Sequence, residues 1–342
     1  MRAPLFSKVV VHSFAREIPL RKVPNDDLAK LMDTNDDWIR KRTGIQTRYW
    51  VDEPTTTSNL GSASAKKTLA LAGCDQVDAI IAATLSPDFN FPGIGVQIQN
   101  DLNLDCIPAY DIRNQCSGFL YALEMAGALI ETGVYQRILV VGAEVHSTGL
   151  DRTTRGRDIA VLFGDGAGSC IVERKDCCHA PGPVFSLLGT ELHSDGAFVD
   201  QLWCEHPGSA HFPIRVSVDL VEQGKIFPTM NGKLVFEHAV RRMVEVSMSL
   251  LGKLNRQPRD LRLIIPHQAN LRINSLVAKQ LGLDEEQVFN TIQKYGNTTA
   301  ATIPIGFSHA VEECDLKPGD QILSAAFGSG FTWGAAVFEV VD

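Results

Sequence analysis

FGDGAGSCIVE (163–173) and FGSGFTWGAAVFE (327–339) close two strand–loop–strand passages that read as copies, the second with two more loop residues. The likeness extends outward from them. Upstream, VDAIIAAT (77–84) corresponds to LRLIIPHQ (261–268), and RILVVGAE (137–144) to QILSAAFG (321–328). Between these lie QNDLNLDCIPAYDIRNQCSGFLYALEMA (99–126) and AKQLGLDEEQVFNTIQKYGNTTAATIPIGFSHA (278–310). Leu102–Leu104 and Leu281–Leu283 are 179 residues apart, about half the chain. That period is too long for a solenoid and fits a duplication. The boundary falls near 176–185, where KDCCHAPGPV breaks the pattern with Pro and Gly, giving halves 1–178 and 179–342.

Short, β-branched runs that are apolar on both faces suit strands covered on both sides. They lie at 79–85, 108–113, 137–144, 169–174, 262–268, 321–328 and 335–341. Helical patterns occupy 58–73, 117–132, 233–254, 271–281 and 304–314, and their alternation with strands predicts an α/β architecture. The stretch 194–232 is irregular and spaced by Gly and Pro, as pocket walls and lids often are.

Composition excludes several classes. With 44% apolar and 21% charged residues among 342, the chain can bury a full core. No apolar run approaches the roughly 18 residues of a membrane span, and MRAPLFSKVVVHSFAREIPL carries charge on both sides of its apolar patch, unlike a secretory signal. A net charge of -8 opposes nucleic-acid binding, which needs a basic surface. Eight irregularly spaced cysteines read as reduced thiols of a cytoplasmic protein. No membrane partner is expected.

Cys116 follows an apolar strand at the sharp joint Asn114-Gln115-Cys116-Ser117-Gly118 and opens a helix. A helix N-terminus lowers a thiol's pKa, so this is the candidate nucleophile, against the competing reading of a buried structural cysteine. His267 stands at the C-terminal end of a buried strand, where open α/β sheets place ligands; its plain alternative is a cap on the next helix. Asn297, in Tyr295-Gly296-Asn297-Thr298, is either a catalytic amide or an ordinary turn residue. By the repeat, its joint corresponds to that of Cys116, so both converge if the halves pack about a pseudo-twofold axis.

Cys, His and Asn in this order suggest a papain-like protease, but the C-G-[SA]-C-[WY] signature is absent. Cys177-Cys178-His179 lacks the spacing of a zinc site and reads as an exposed turn; no metal is expected. Phe163–Gly168 lacks the G-K-[ST] ending of a phosphate loop and reads as a tight structural turn.

Together, Asp111-Ile112…Cys116-Ser117-Gly118-Phe119, Pro266-His267-Gln268-Ala269-Asn270-Leu271-Arg272-Ile273, Tyr295-Gly296-Asn297-Thr298 and Phe327–Gly334 resemble β-ketoacyl-acyl carrier protein synthase III. That is the initiating condensing enzyme of the thiolase superfamily. Asp33–Ile39 with Arg42-Thr43-Gly44-Ile45 resembles its coenzyme A-binding segment, and the likeness runs in order from about residue 8 to the C-terminus. The resemblance implies a five-layered αβαβα fold of two duplicated halves, a homodimer, and no cofactor beyond the coenzyme A thioester substrate.

It further implies an acyltransferase that condenses an acyl-CoA primer with a malonyl thioester of acyl carrier protein. Cys116 would be acylated, and His267 and Asn297 would bind the malonyl thioester carbonyl. The chemistry needs these types: a thiolate takes the acyl group, and two hydrogen-bond donors stabilise the enolate left by decarboxylation. Backbone N–H groups of Cys116 and Ser329 would form a second oxyanion hole. Trp38 and Arg155 would hold the adenine, Arg42 the phosphates, Asn270 the substrate, and Phe91 would close the partner subunit's acyl pocket.

Three departures from the usual pattern stand out. Asn114-Gln115 replaces the Ala that usually precedes the nucleophile, the 154–159 segment is two residues longer, and Glu237 occupies a commonly basic position. A secondary-metabolite synthase III homologue (polyketide or alkylquinolone type), an acyltransferase with another acceptor, and a non-catalytic partner subunit are the alternatives. Between Lys233 and Lys279, nine basic residues face three acids, an excess of +6 that includes Arg242 and Arg272. Gathered near His267, these charges would suit docking of an acidic carrier protein.

Overall fold

The computed structural model describes residues 5–341. Its first half contains β1 (Val9–Glu17), β2 (Arg21–Pro24), β3 (Thr47–Trp50), β4 (Ala79–Ala83), β5 (Ala109–Ile112), β6 (Arg137–Glu144) and β7 (Gly166–Arg174). The second contains β8 (Val184–Ser194), β9 (Leu202–Trp203), β10 (Thr229–Met230), β11 (Leu261–Ile264), β12 (Gln321–Gly328) and β13 (Thr332–Val340).

Nine strands form one hydrogen-bonded sheet in the order β11-β12-β13-β8-β1-β7-β6-β4-β5. Read inward from β11 and from β4, the orders β11-β12-β13-β8 and β4-β6-β7-β1 correspond, and the two halves meet where β1 pairs antiparallel with β8. β11 even gains an outer neighbour through the parallel bridge Ile264–Val288, the counterpart of β5 beside β4.

Strand periodicity explains the layers. Ile81, Val140, Ile322 and Phe338 point inward onto a central layer made by the helices Gly118–Glu131 and Thr302–Glu313. Their neighbours Ile80 and Leu139 face the outer helices Thr57–Ala72 and Ile94–Asp101, while Leu323 and Val337 face Gly232–Lys253 and Leu271–Leu281. Strands covered on both faces need no polar alternation, which is why they read as continuous apolar runs. The result is the thiolase-like αβαβα arrangement.

β1 and β8 are absent from the strands read in the sequence. Both carry polar residues, and β1 has a register shift between His12 and Ala15, with Ser13 at φ 55°. The expected strand 262–268 ends at Ile264, although Ile265 and His267 still donate backbone bonds to Leu323 and Ala325 of β12. Pro266 has no N–H to continue the ladder. Among the described residues, no helix is long and apolar enough to cross a membrane.

Candidate active site

Two joints face one another at the C-terminal ends of the strands. The chain leaves β5 through a tight turn at Gln115–Ser117 and enters the helix Gly118–Glu131. In the second half, a turn at Thr299–Ala301 leads into Thr302–Glu313. Gln115 (φ 44°) and Thr299 (φ 47°) share the left-handed conformation one residue before Cys116 and Ala300. A Cβ on Gly118 would lie 3.8 Å from that of Ala300, so the joints pack directly.

Cys116 is buried, and its surroundings differ from the sequence expectation. Burial pushes the thiol up to about 12 and the Glu144 carboxylate adds to the rise, while backbone N–H groups of Cys116 and Ser329 pull the other way. The lowering expected from the helix N-terminus is outweighed by desolvation. Gly328, at the end of β12, makes the close approach possible, because a Cβ there would stand 2.8 Å from that of Cys116. Ser329 itself is held by its hydroxyl, which donates to the Leu202 carbonyl.

His267 is buried, and its Nδ1 lies 2.7 Å from Thr302 Oγ1. The Thr302 hydroxyl also lies 2.9 Å from the Thr299 carbonyl. When it donates there, Nδ1 carries the imidazole proton and Nε2 has a lone pair. When it turns to Nδ1, Nε2 carries the proton instead. Burial pushes the imidazole down to about 3, so the ring is neutral in both arrangements. Nε2 has no hydrogen-bond partner among the described residues.

Asn297 is oriented by backbone on both sides. It bridges in parallel to Phe163, its N–H donates to Leu162 O (2.8 Å), and Gly164 N–H donates to its carbonyl (3.1 Å). Its Oδ1 accepts from Thr299 N–H at 2.9 Å, which turns the amide nitrogen to the other side. The FGDGAG loop is thus partly structural support for Asn297, while Gly166–Gly168 already belong to β7. Asn297 reaches Thr299, His267 reaches Thr302, and Ala300 between them abuts the Cys116 joint, so the three candidates converge.

Glu144 and His146 were not legible in the sequence. Glu144, at the end of β6, accepts bonds from Leu85 and Ser86 N–H and from the Ser86 hydroxyl, and Ala300 N–H points at it from 3.4 Å. Burial raises its carboxyl to about 7 despite these bonds. His146 Nε2 lies 2.6 Å from Thr299 Oγ1, and burial lowers its pKa to about 3. Both support the second joint, and only the folded chain brings residues 144–146 to 299–300.

A separate surface carries Trp38 on the helix Asp36–Thr43. Arg42 lies 4.5 Å from its ring centroid and Arg157 5.1 Å. Arg155 turns away, its Nε 2.6 Å from Asp151 and its Nη1 donating to Glu222 O at 2.8 Å. Of this segment, the arginine beside Trp38 is therefore Arg157. Asn270 donates to Arg42 O (3.0 Å) and accepts from Arg272 N–H (3.0 Å), so both ends of its amide are engaged in joining this surface to the helix Leu271–Leu281.

Phe91 is 86% exposed in the loop before Ile94–Asp101. The basic stretch does not gather at one place. Lys253 pairs with Glu191 (2.9 Å) and Arg256 with Glu339 (3.3 Å), at the far end of a 22-residue helix from Lys233. Arg242 is half-buried, 4.8 Å over the Trp333 ring and 3.1 Å from Glu245, whereas Arg272 is exposed over Phe236.

Comparison with known proteins agrees in sequence and in structure. Residues 251–340 match the profile of 3-oxoacyl-[acyl-carrier-protein] synthase III C terminal, and residues 110–196 match that of 3-oxoacyl-[acyl-carrier-protein] synthase III. The chain is 39% identical over 335 residues to a β-ketoacyl-[acyl-carrier-protein] synthase III of Campylobacter jejuni, covering 97% of this chain and 98% of that one. It is similar to the crystal structure of 3-oxoacyl-[acyl-carrier-protein] synthase III from Aquifex aeolicus (36% identity, TM-score 0.85, covering 97% and 99% of the two chains). A priming β-ketosynthase from the R1128 polyketide pathway shares the fold at TM-score 0.84 with 27% identity, covering 100% of this chain and 98% of that one.

Proposed function

This chain belongs to the 3-oxoacyl-[acyl-carrier-protein] synthase III family, and from that premise we propose how its own residues perform the initiating condensation of fatty-acid synthesis. It is a condensing acyltransferase. The secondary-metabolite reading is not favoured, since the polyketide priming synthase is at 27% identity and the curated synthase III relative at 39%.

In the first half-reaction, the Cys116 sulfur attacks the acyl-CoA thioester carbonyl. The bond to the coenzyme breaks, and the thiol proton ends on the coenzyme A sulfur. Burial keeps Cys116 protonated at rest, so the backbone N–H groups of Cys116 and Ser329 offset desolvation as the sulfur gains charge. The same pair faces the oxyanion of the tetrahedral intermediate.

In the second, the malonyl thioester carbonyl accepts from the Asn297 amide and from His267 Nε2–H. Loss of carbon dioxide leaves an enolate on that oxygen, and these donors stabilise it. The enolate carbon attacks the acyl-cysteine and leaves a β-ketoacyl thioester on the carrier, while the Cys116 sulfur departs as a thiolate and takes up a proton from solvent. A neutral His267 is the suitable donor, and the Thr302 hydroxyl supports the required tautomer when it turns from the Thr299 carbonyl to donate to Nδ1.

Trp38 with Arg42 and Arg157 is proposed to receive the coenzyme's adenine and phosphates, with Arg155 replaced in that role. Arg272 is the proposed carrier-docking charge; Arg242 contributes through packing. A homodimer would place the exposed Phe91 against a second copy, beside the open edge of β5. Eight free thiols suit the reducing cytoplasm.

The observation that carries this reading is the convergence of Cys116, neutral His267 and the oriented Asn297 amide. Mass spectrometry after exposure to acyl-CoA, paired with malonyl-carrier decarboxylation, tests it. Cys116→Ala is expected to lose the acyl adduct and keep decarboxylation. His267→Ala and Asn297→Ala keep the adduct and lose about 10²–10³ in decarboxylation rate. Condensation by Cys116→Ala, or decarboxylation at wild-type rate in either other variant, would refute the assignment.

A further inference from the structure

His12 on β1, Glu173 on β7 and Cys178 in the crossover to β8 each bring one ligating atom within 4.8 Å of the other two. Of 177–179, read in the sequence as an exposed turn, His179 is exposed, whereas Cys177 and Cys178 are half-buried and Cys178 faces inward to this cluster. His12 and Glu173 are 2% and 1% exposed, with His12 Nε2 2.9 Å from Glu173 Oε2. Spacing gave no sign of the group, because Cys178 meets a partner 166 residues earlier.

The surrounding bonds hold the donors in a ligating arrangement. Arg137 donates to Glu173 Oε1 (Nε at 2.9 Å), which leaves Oε2 toward His12. On the other side of the ring, Nδ1 lies 2.9 Å from Ser13 Oγ, which can accept from Nδ1–H once Nε2 yields to an ion the proton it shares with Glu173. Such outer partners set the tautomer and angle of metal-bound histidines.

Without the thiol, His12, Glu173 and the partly exposed Arg137 would be a complete ion-pair network. Cys178 changes the chemistry. Nitrogen, oxygen and sulfur donors together select zinc-class ions, whereas magnesium and calcium take oxygen alone. Three protein ligands leave the fourth tetrahedral position to water. We infer that His12 Nε2, Glu173 Oε2 and Cys178 Sγ bind a zinc-class divalent transition-metal ion.

The ion replaces the proton shared by His12 and Glu173 and that of the Cys178 thiol, so both are released on binding. Arg137 and Glu144 mark opposite ends of β6. Seven residues of strand separate the site from the reaction centre by about 23 Å. The ion therefore takes no part in condensation; it ties β1, β7 and the crossover between the halves.

Cobalt(II) titration of the full chain tests this, in a Cys116→Ala background that keeps the proposed nucleophile out of the readout. One ion per chain, with a thiolate-to-metal charge-transfer absorption, is expected. Adding Cys178→Ser removes the absorption and weakens binding about 100-fold, and His12→Gln weakens it similarly. A metal-free thermal midpoint unchanged in Cys178→Ser shows that the fold is intact. The second cluster, Glu205, His206 and His211, provides the control: His211→Ala leaves the absorption unchanged. Absorption that survives Cys178→Ser, disappears in His211→Ala, or never saturates overturns the proposal.

Discussion

Cys116 combines a nucleophile's position with a thiol that burial keeps protonated, and this pairing makes its neighbours matter. The sulfur meets backbone N–H groups, so the proposed acylation would depend on backbone geometry more than on a partner base. His267 depends on one hydroxyl. Thr302 Oγ1 stands close enough to both Nδ1 and the Thr299 carbonyl to serve either imidazole tautomer. Thr302→Val is expected to lower decarboxylation about tenfold, the value of one hydrogen bond of about 1.4 kcal/mol. Acyl-enzyme formation stays near wild type, and Thr302→Ser restores the loss. An unchanged decarboxylation rate in the Val variant, or failure of Ser to rescue, would show that Thr302 does not set the tautomer.

At the scale of elements, the site depends on strand ends brought unusually close. Gly328 closes β12 beneath Cys116, and any side chain there meets that residue's backbone at 3.0 Å. Gly328→Ala should therefore cost condensation activity about 10²-fold, the scale of a 1 Å misplacement. Its far-ultraviolet circular dichroism should stay native, and a fully active variant would refute the contact. The short helix Asp36–Thr43 poses a second question: which arginine serves Trp38. Arg157→Ala should raise KM for acyl-CoA several-fold while leaving KM for an acyl-pantetheine thioester unchanged. Arg155→Ala should act mainly through Asp151 and Glu222, with equal effects on both substrates. The reverse ranking would restore Arg155 to the coenzyme site.

The molecule as a whole buries a carboxyl at the junction of its halves. Glu144 titrates at about 7 in the folded chain against an ordinary 4.5, chiefly through desolvation. A raised pKa means that the folded state holds its proton more tightly than the unfolded one. This contribution is complete below pH 4.5 and disappears as pH rises through 7. At 1.36 kcal/mol per unit it amounts to about 3 kcal/mol. Urea unfolding at pH 5 and pH 8 should show wild type losing more stability than Glu144→Gln over that interval. Parallel curves would place the carboxyl's titration elsewhere.

The sequence by itself determined the α/β alternation, the repeat with its matched joints, and the residue types at Cys116, His267 and Asn297. Apolar periodicity and strand–turn–helix joints are local, so they can be read without coordinates. Only the tertiary structure decided that Cys116 rests protonated, because desolvation depends on what covers a group and not on its place at a helix end. It also decided that Arg157 stands at Trp38, that Arg242 packs on Trp333, and that β1 and β8 join the halves. These depend on contacts between segments far apart in the chain, and Glu144 beneath Ala300 or Cys178 beside His12 leaves no periodic trace in either segment.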